Sequence, residues 1–281
     1  MPRLFVFGLG YTATALARAL LAEGWTVAGT CRTPEGAAAL RTQGVEPVPF
    51  DGAAPLDPAA MVGTTHLLAS IPPDPDDPAL RHHAEDIAAN ISLAWIGYLS
   101  TTSVYGVTDG SPVDEDTPCT PTSARGQRRL HAEQTWQSLP LPAHVFRLSG
   151  IYGPGRSAFD TIRAGRAQRI VKPGHAFNRI HVADIVQTLR ASLAKPVPGR
   201  VYNLADDLPA PSADLITYVC SLMCIAPPPE IPFDQAVLSP MAREFWADNK
   251  RVANDRIKQE LGVRLVYPTW REGLDAIWHG S

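Results

Sequence analysis

Residues 5–13 read FVFGLGYTA, and this stretch decides the fold class that the sequence predicts. A buried strand is followed by a turn at Gly8 and Gly10, and a helix begins near Thr12. The stretch fits the pattern G-x-G-x-x-G/A, with Ala13 in the third place. The first glycine permits the tight turn, the second lets backbone approach a pyrophosphate, and the small third residue lets the helix pack closely. A helix N-terminus supplies unpaired N–H groups for phosphates. We therefore predict cofactor contacts at Gly8, Gly10, Tyr11, Thr12 and Ala13.

Beyond the turn, short β-rich runs alternate with helical stretches as far as a strand ending near Leu148. This alternation predicts an α/β fold of the Rossmann type, a doubly wound parallel sheet covered by helices on both faces. After Gly150 the pattern changes to short strands, helices and Pro-rich loops, which indicates a smaller C-terminal α+β lobe. One of its last helices is predicted over Asn249–Leu261. We expect an NADP-binding domain over residues 1–155, to which 176–205 return, and a substrate-binding lobe formed by 156–175 and 206–281.

The end of the second predicted strand indicates which nicotinamide cofactor binds. NAD-binding proteins usually place Asp or Glu there for the ribose 2′-hydroxyl. This chain instead reads GTCR over residues 29–32, and Arg32 is suited to a 2′-phosphate. We therefore predict NADP, with NAD as the weaker alternative. The other interpretation of Arg32 is a solvated loop arginine.

Three further residues follow strands at the same edge of the predicted sheet. Asp51 comes after the third strand and is a candidate adenine contact; the alternative is an aspartate that caps the turn before Gly52. Ala69 and Ser70 end the fourth predicted strand. Because the carboxyl ends of parallel strands meet the ligand crevice, we predict that both contact the cofactor.

Composition excludes several function classes. The 281 residues are 45% hydrophobic and 19% charged, with a formal net charge of −3, so no basic field attracts nucleic acid. No apolar run reaches membrane-spanning length, and the N-terminus lacks the pattern of a signal peptide. The four cysteines fit a reduced protein better than a disulfide framework. We expect a cytoplasmic protein without a metal site.

Four later segments share motifs with a known family. Residues 100–106 read STTSVYG, 147–155 read RLSGIYGPG, 179–184 read RIHVAD and 201–204 read VYNL. In this order they resemble the extended short-chain dehydrogenase/reductases, the group of NAD(P)-dependent nucleotide-sugar epimerases and dehydratases. The segment after about Pro211 matches no motif of the family. Taken as a whole, the chain resembles the atypical subgroup, whose members keep the cofactor motif and often lose the catalytic residues.

The resemblance also shows where the catalytic residues have changed. Thr101 matches the family's substrate-polarising Ser or Thr. The family's Y-x-x-x-K motif is replaced by Arg125 and Arg129. An arginine stays protonated, so Arg125 cannot act as a proton-transfer base at neutral pH. We predict that both arginines line the cleft beside the nicotinamide, where Arg129 binds ribose or phosphate. The alternative is a solvated helix face that includes Arg128.

Tyr105 is the nearest remaining phenol and is a candidate substitute acid, although the family also carries this tyrosine beside the usual catalytic one. Family dehydratases place Asp-Glu after the catalytic Thr, whereas this chain has Thr102-Ser103, which argues against 4,6-dehydration.

The resemblance implies an NAD(P)-dependent oxidoreductase or epimerase-like enzyme that acts on a nucleotide sugar or a similar anionic small molecule. The alternative is an NADP-binding sensor or regulatory protein without turnover. Members of the family commonly form homodimers, so a homodimer is expected by resemblance.

Overall fold

The computed structural model describes residues 1–280. The strands, in chain order, are β1 Arg3–Phe7, β2 Thr26–Cys31, β3 Glu46–Pro49, β4 His66–Ala69, β5 Trp95–Thr101, β6 Pro112–Val113, β7 His144–Leu148, β8 Gly150–Tyr152, β9 Arg169–Val171, β10 Arg179–His181, β11 Val201–Leu204, β12 Glu230–Pro232 and β13 Arg251–Val252. The α-helices are α1 Tyr11–Ala22, α2 Pro34–Thr42, α3 Pro78–Ala89, α4 Ala124–Gln137, α5 Ala158–Arg163, α6 Val182–Ala194, α7 Ser212–Leu222, α8 Pro240–Ala247, α9 Asp255–Leu261 and α10 Trp270–His279.

The central sheet has seven strands in the order β11-β7-β5-β4-β1-β2-β3. Neighbouring strands are parallel, with Phe5 of β1 opposite Ala28 of β2 and Leu67 of β4. The order reverses between β1 and β4, and in open α/β sheets ligands bind beyond the strand ends at such a reversal. The predicted Rossmann-type fold is confirmed.

The chain divides into two compact units. The first comprises residues 1–104, 124–147 and 185–202, and the second comprises 105–123, 148–184 and the chain from Asn203 onward. In the first unit, residues 4–7 of β1 are all buried, as expected for a parallel strand covered on both faces. The second unit has its own core, in which Phe159, Val219 and Trp270 are buried. The prediction that one domain binds cofactor and the other substrate stays a prediction.

The helix predicted over Asn249–Leu261 is wrong in its first part. Arg251–Val252 form strand β13, which pairs in parallel with Pro112–Val113 of β6. Helix α9 begins only at Asp255, after Asn254. The pairing partner lies more than a hundred residues away in sequence, so local propensity gave no sign of this strand.

Within residues 1–280, the helices are all too short or too polar to cross a lipid bilayer.

Candidate functional site

Gly8 forms the turn after β1 in a conformation that favours glycine. Its φ is +89°, and a Cβ there would lie 2.7 Å from Cγ1 of Ile71 and 3.2 Å from its backbone nitrogen. The Gly8 N–H donates to the Oγ1 of Thr30 at 2.7 Å. Gly8 therefore lets the chain turn closely against the segment after β4 while remaining bonded to β2.

Gly10 leaves the start of helix α1 open. It occupies the N-cap position with φ −83°, no side chain caps the helix, and the first turn carries no acidic residue. A Cβ added at Gly10 would meet nothing within 4 Å. Helix N–H groups and the helix dipole attract anions, and here the N-cap residue has no side chain and the first turn has no carboxylate to compete for them. Together with the buried Thr12 and Ala13 of α1, this arrangement fits a dinucleotide pyrophosphate.

The other predicted cofactor residues lie in the first unit. Arg32 is exposed directly after β2. Asp51 is exposed, and its Oδ1 accepts from the N–H of Ala53 at 2.8 Å, so the turn-capping alternative is observed. Ala69 is opposite Phe7 in the sheet. The Ser70 N–H donates to the carbonyl oxygen of Phe7 at 2.8 Å. The sheet thus brings Gly8, Ala69 and Ser70 to one edge.

Thr101 ends β5 in the first unit and is half-buried. Its Oγ1 lies 3.4 Å from the Oγ of Ser103 and accepts from the Ser103 N–H at 3.3 Å. Parallel pairing of β4 with β5 places it at the same sheet edge as Ser70. The predicted substrate-polarising hydroxyl is therefore at the ligand edge of the sheet, and its catalytic role stays a prediction.

The two arginines of helix α4 differ in environment, although the prediction gave them one face. Arg125 is exposed in the first turn, whereas Arg129 is 7% exposed. Nη1 of Arg129 donates to the carbonyl oxygen of Leu99 at 2.8 Å and to the hydroxyl of Tyr98 at 3.3 Å. Burial raises the pKa of Asp77, and the positive charge of Arg129 opposes that rise. Arg129 thus binds buried polar groups of β5, the Tyr98 hydroxyl and the Leu99 carbonyl. The four-residue spacing from Arg125 did not indicate this burial.

This difference predicts opposite results for two matched substitutions. Arg129→Ala removes a charged donor from a buried carbonyl and should lower the free energy of unfolding by about 1.5–3 kcal/mol. Arg125→Ala changes an exposed side chain and should stay within about 0.5 kcal/mol of the wild type. Urea denaturation of both variants measures the difference. Equal losses would show that the burial of Arg129 contributes nothing.

A buried charge cluster that the sequence analysis did not assign joins α4 to β5 and β7. Glu133 is 1% exposed and Arg147 is 6% exposed. Nη2 of Arg147 donates to Oε2 of Glu133 at 2.8 Å, and the Ser100 hydroxyl donates to Oε1 at 2.5 Å. The sequence analysis did not single out Glu133, and it placed Arg147 only at the start of the motif at residues 147–155. The sequence signal that could have indicated this ion pair is a glutamate on the apolar side of a predicted helix, together with an arginine in a family motif.

Tyr105 belongs to the second unit and is fully buried. Its hydroxyl donates to the Oδ1 of Asn203 at 2.7 Å. The backbone N–H of Asn203 in turn donates to Oε1 of Glu115 at 2.8 Å. These contacts give the Tyr105 phenol a structural role, and its predicted role as an acid stays untested.

The second unit contains a cavity of about 580 Å³ that the sequence analysis missed. Four aromatic side chains and three arginines are among the residues that line it, together with Asp160: Phe177, Phe245, Trp246, Trp270, Arg156, Arg166 and Arg179. The Asp160 carboxylate is already engaged, because it accepts from the N–H and hydroxyl of Ser157 at 2.7 Å each. The lining is therefore apolar with an excess of positive charge, which suits an anion that carries a ring.

Burial shifts several pKa values around this cavity. The pKa of Arg179 falls to about 10 because the side chain is buried, and the negative charge of Asp206 opposes that fall. Burial raises the pKa of Asp206 to about 7. Burial lowers the pKa of His181 to about 4, so this histidine is neutral at physiological pH. His181 and Asp184 belong to the motif at residues 179–184, and the Asp184 carboxylate accepts from the Val266 N–H at 2.6 Å.

Comparison with known proteins gives the family. No family model matches the chain. A solved structure described as a functionally unknown conserved protein from Silicibacter pomeroyi is 52% identical, with a TM-score of 0.93, over 100% of this chain and 99% of that one. Protein YeeZ of Escherichia coli is 28% identical over 95% of this chain and 97% of its own length.

More distant structures share the fold. The dTDP-glucose 4,6-dehydratase of Bacillus anthracis, solved in complex with NAD, superposes with a TM-score of 0.79 at 14% identity, over 99% of this chain and 96% of that one. At this identity the likeness shows the fold alone. The chain therefore belongs to one family with the Silicibacter pomeroyi protein, and it has the fold of the short-chain dehydrogenase/reductases of the epimerase/dehydratase type.

Proposed function

We propose that this protein binds NADP at residues 8–13 and acts as an NAD(P)-dependent oxidoreductase or epimerase-like enzyme. Its substrate is a nucleotide sugar or a similar anionic small molecule. The observation that carries the proposal is the open N-terminus of α1, where Gly10 leaves free space and no side chain caps the helix. The B. anthracis dehydratase, which shares the fold, was solved with NAD bound.

When bound, the nicotinamide group supplies hydride transfer. The residues of this chain supply binding and orientation: α1 holds the phosphates, and Thr101 presents a hydroxyl at the sheet edge. Arg125 contributes a permanent positive charge and moves no proton, because its guanidinium does not deprotonate near neutral pH. Arg129 is bonded to the carbonyl of Leu99 and supports β5 from behind. The tyrosine–lysine pair of the family thus has no counterpart at these two positions.

The substrate part of the proposal rests on the cavity of the second unit. Arg179 is partly buried there and presents a guanidinium above the ring of Phe177, at 5.9 Å from the ring centroid. Arg156 and Arg166 are exposed at the same lining. A diphosphate suits the guanidinium groups, and a planar base or a sugar suits the aromatic wall.

Arg32 should make the protein prefer NADPH to NADH. A charge-assisted contact to the 2′-phosphate is worth roughly 1.5–3 kcal/mol, or about 10- to 100-fold in affinity. Titration of both cofactors by nicotinamide fluorescence should show this preference in the wild type and its loss in Arg32→Ala. Arg41→Ala, another exposed arginine of the first unit, is the matched control and should keep the preference. Equal affinities in the wild type would remove the NADP assignment.

A second function is favoured by the altered catalytic positions. With Arg125 and Arg129 in place of the tyrosine and lysine, the protein can hold NADP as a sensor or regulatory subunit without turnover. The test is NADPH consumption with a panel of nucleotide sugars and small carbonyl compounds, beside a direct binding titration. Turnover with any of them supports the enzyme, whereas tight binding without turnover supports the sensor.

A further inference from the structure

Asp206 carries a buried carboxylate and lies next to Arg179, one of the arginines that line the cavity. It follows β11 and is 2% exposed. Its backbone N–H donates to the carbonyl oxygen of Arg179 at 2.6 Å, and its Oδ1 accepts from the N–H of Leu208 at 3.2 Å. Within residues 1–280, its Oδ2 has no hydrogen-bond partner. The carboxyl group is therefore fixed in place while one of its oxygens remains unsatisfied.

Arg179 has no close countercharge among the described residues. Its Nη1 donates to the carbonyl oxygens of Phe177 and Ala210, at 3.0 Å each, and both partners are neutral. Of the charged groups that act on Arg179 at longer range, Asp206 has the largest effect on its pKa. The Arg179 guanidinium is bonded to neutral carbonyl oxygens, and the nearest carboxylate lies beyond ion-pair distance. Its positive charge is therefore available to a ligand.

We propose that Asp206 sets how tightly the cavity binds anions, because its charge opposes that of Arg179. With Asp206 neutral, Arg179 attracts an anion fully; with Asp206 ionised, part of that attraction is cancelled and the anion is also repelled. The inference rests on the proposed use of the cavity as an anion site and adds the residue that regulates it. Asp206 acts through Arg179 and is a positioning residue, not a catalytic one.

The charge of Asp206 changes in the neutral pH range, because burial raises its pKa to about 7.

The other titratable and charged groups near Asp206, or near the residues around it, are as follows. Burial raises the pKa of Tyr152, which stays a neutral phenol, and the pKa of His181 falls to about 4. Asp207 is paired with Lys258 at 2.6 Å, and Glu272 accepts from the N–H of Thr269. Burial also raises the pKa of Asp184, and the hydrogen bonds from the N–H groups of Val266 and Tyr267 oppose that rise. Asp214 is a further carboxylate whose charge acts on Arg179.

The expected result is anion binding that weakens as pH rises through about 7. A bound anion favours the protonated form of Asp206, so binding takes up a proton. Sulfate is the probe, since its charge is constant over this range. Its affinity should fall by about 10-fold between about pH 5.5 and 8.5, the equivalent of one pKa unit of coupling. The indole N–H signal of Trp270, in the cavity lining, reports binding by NMR.

Two variants test whether the pH dependence of sulfate binding comes from Asp206 or from the groups around it. Asp206→Asn should bind sulfate with the same affinity across this pH range, close to the wild-type affinity at low pH. Asp207→Asn is the matched control: it should keep a pH dependence of similar size, with a lower midpoint because the charge of Asp207 helps to raise the pKa of Asp206. A wild type without pH dependence, or an Asp206→Asn variant that keeps it, overturns the inference but leaves the cavity as an anion site. No binding of sulfate at any pH, with Arg179→Gln indistinguishable from the wild type, overturns the cavity assignment and the inference together.

Protein stability gives a readout that needs no ligand. The unfolded carboxyl has its ordinary pKa of 3.8, whereas the folded one is raised to about 7. Between these values the folded state holds the extra proton, so the contribution of Asp206 to stability is lost as pH rises from about 4 to about 7. Urea denaturation of Asp206→Asn should lack this fall. If that variant does not fold, ¹³C titration of the carboxyl signals in the wild type assigns the proton, and an ordinary Asp206 pKa overturns the inference.

Discussion

Replacing Arg147 with alanine should lower the free energy of unfolding by about 3–5 kcal/mol, because it leaves the buried carboxylate of Glu133 without its countercharge. Arg147 holds both oxygens of that carboxylate, through Nε at 3.2 Å to each and through Nη2 at 2.8 Å. The hydroxyl of Ser100 also donates to this carboxylate. With Glu133 1% exposed, water cannot replace the guanidinium without disrupting the packing of α4.

The control for this prediction removes both charges. A buried ion pair is often close to neutral against uncharged residues of similar volume, so Glu133→Gln combined with Arg147→Met should recover most of the loss. Urea denaturation of the single and double variants measures the difference. A single Arg147→Ala variant as stable as the wild type would show that the pair does not hold α4 against the sheet.

Gly10→Val should abolish cofactor binding while the protein stays folded. The φ of −83° is open to valine, and a Cβ at this position meets nothing within 4 Å, so the fold accepts the side chain. The added methyl groups would occupy the space through which a pyrophosphate reaches the N-terminus of α1. Calorimetric titration with NADPH should show at least about a 100-fold loss, equal to some 2.7 kcal/mol.

Two further glycine variants serve as controls for the effect of side-chain size and for damage to the fold. Gly10→Ala adds a single methyl group and should weaken binding less than Gly10→Val. Gly8→Val should damage the fold itself, because φ is +89° and its Cβ would collide with Ile71. NADPH binding by Gly10→Val at the wild-type affinity would mean that the phosphates lie elsewhere.

Local features of the sequence predicted the fold well. The glycine turn, the alternation of strands and helices, and the open start of α1 all depend on neighbouring residues, and each is present in the structure. The strand at Arg251–Val252 was missed because it forms only by pairing with Pro112–Val113. Sequence spacing correctly found Arg129 on α4, but its burial depends on Leu99 and Tyr98, which lie thirty or so residues away.

The cavity and its charges lay beyond sequence reasoning for the same reason. Its lining combines residues from 150–179, 212–216, 245–246 and 270–274, and no single segment carries the signal. Asp206 follows the V-Y-N segment directly and reads there as a loop aspartate. Its burial and its position behind Arg179 exist only in the folded second unit.

A crystal structure of this protein grown with NADPH tests the central claim, that residues 8–13 hold the pyrophosphate of a nicotinamide dinucleotide. The account predicts pyrophosphate density at the N-terminus of α1, within hydrogen-bond distance of backbone N–H groups in residues 10–13, with the adenosine 2′-phosphate beside Arg32. Clear density for the cofactor at any other place on the protein, with the N-terminus of α1 unchanged, would contradict it.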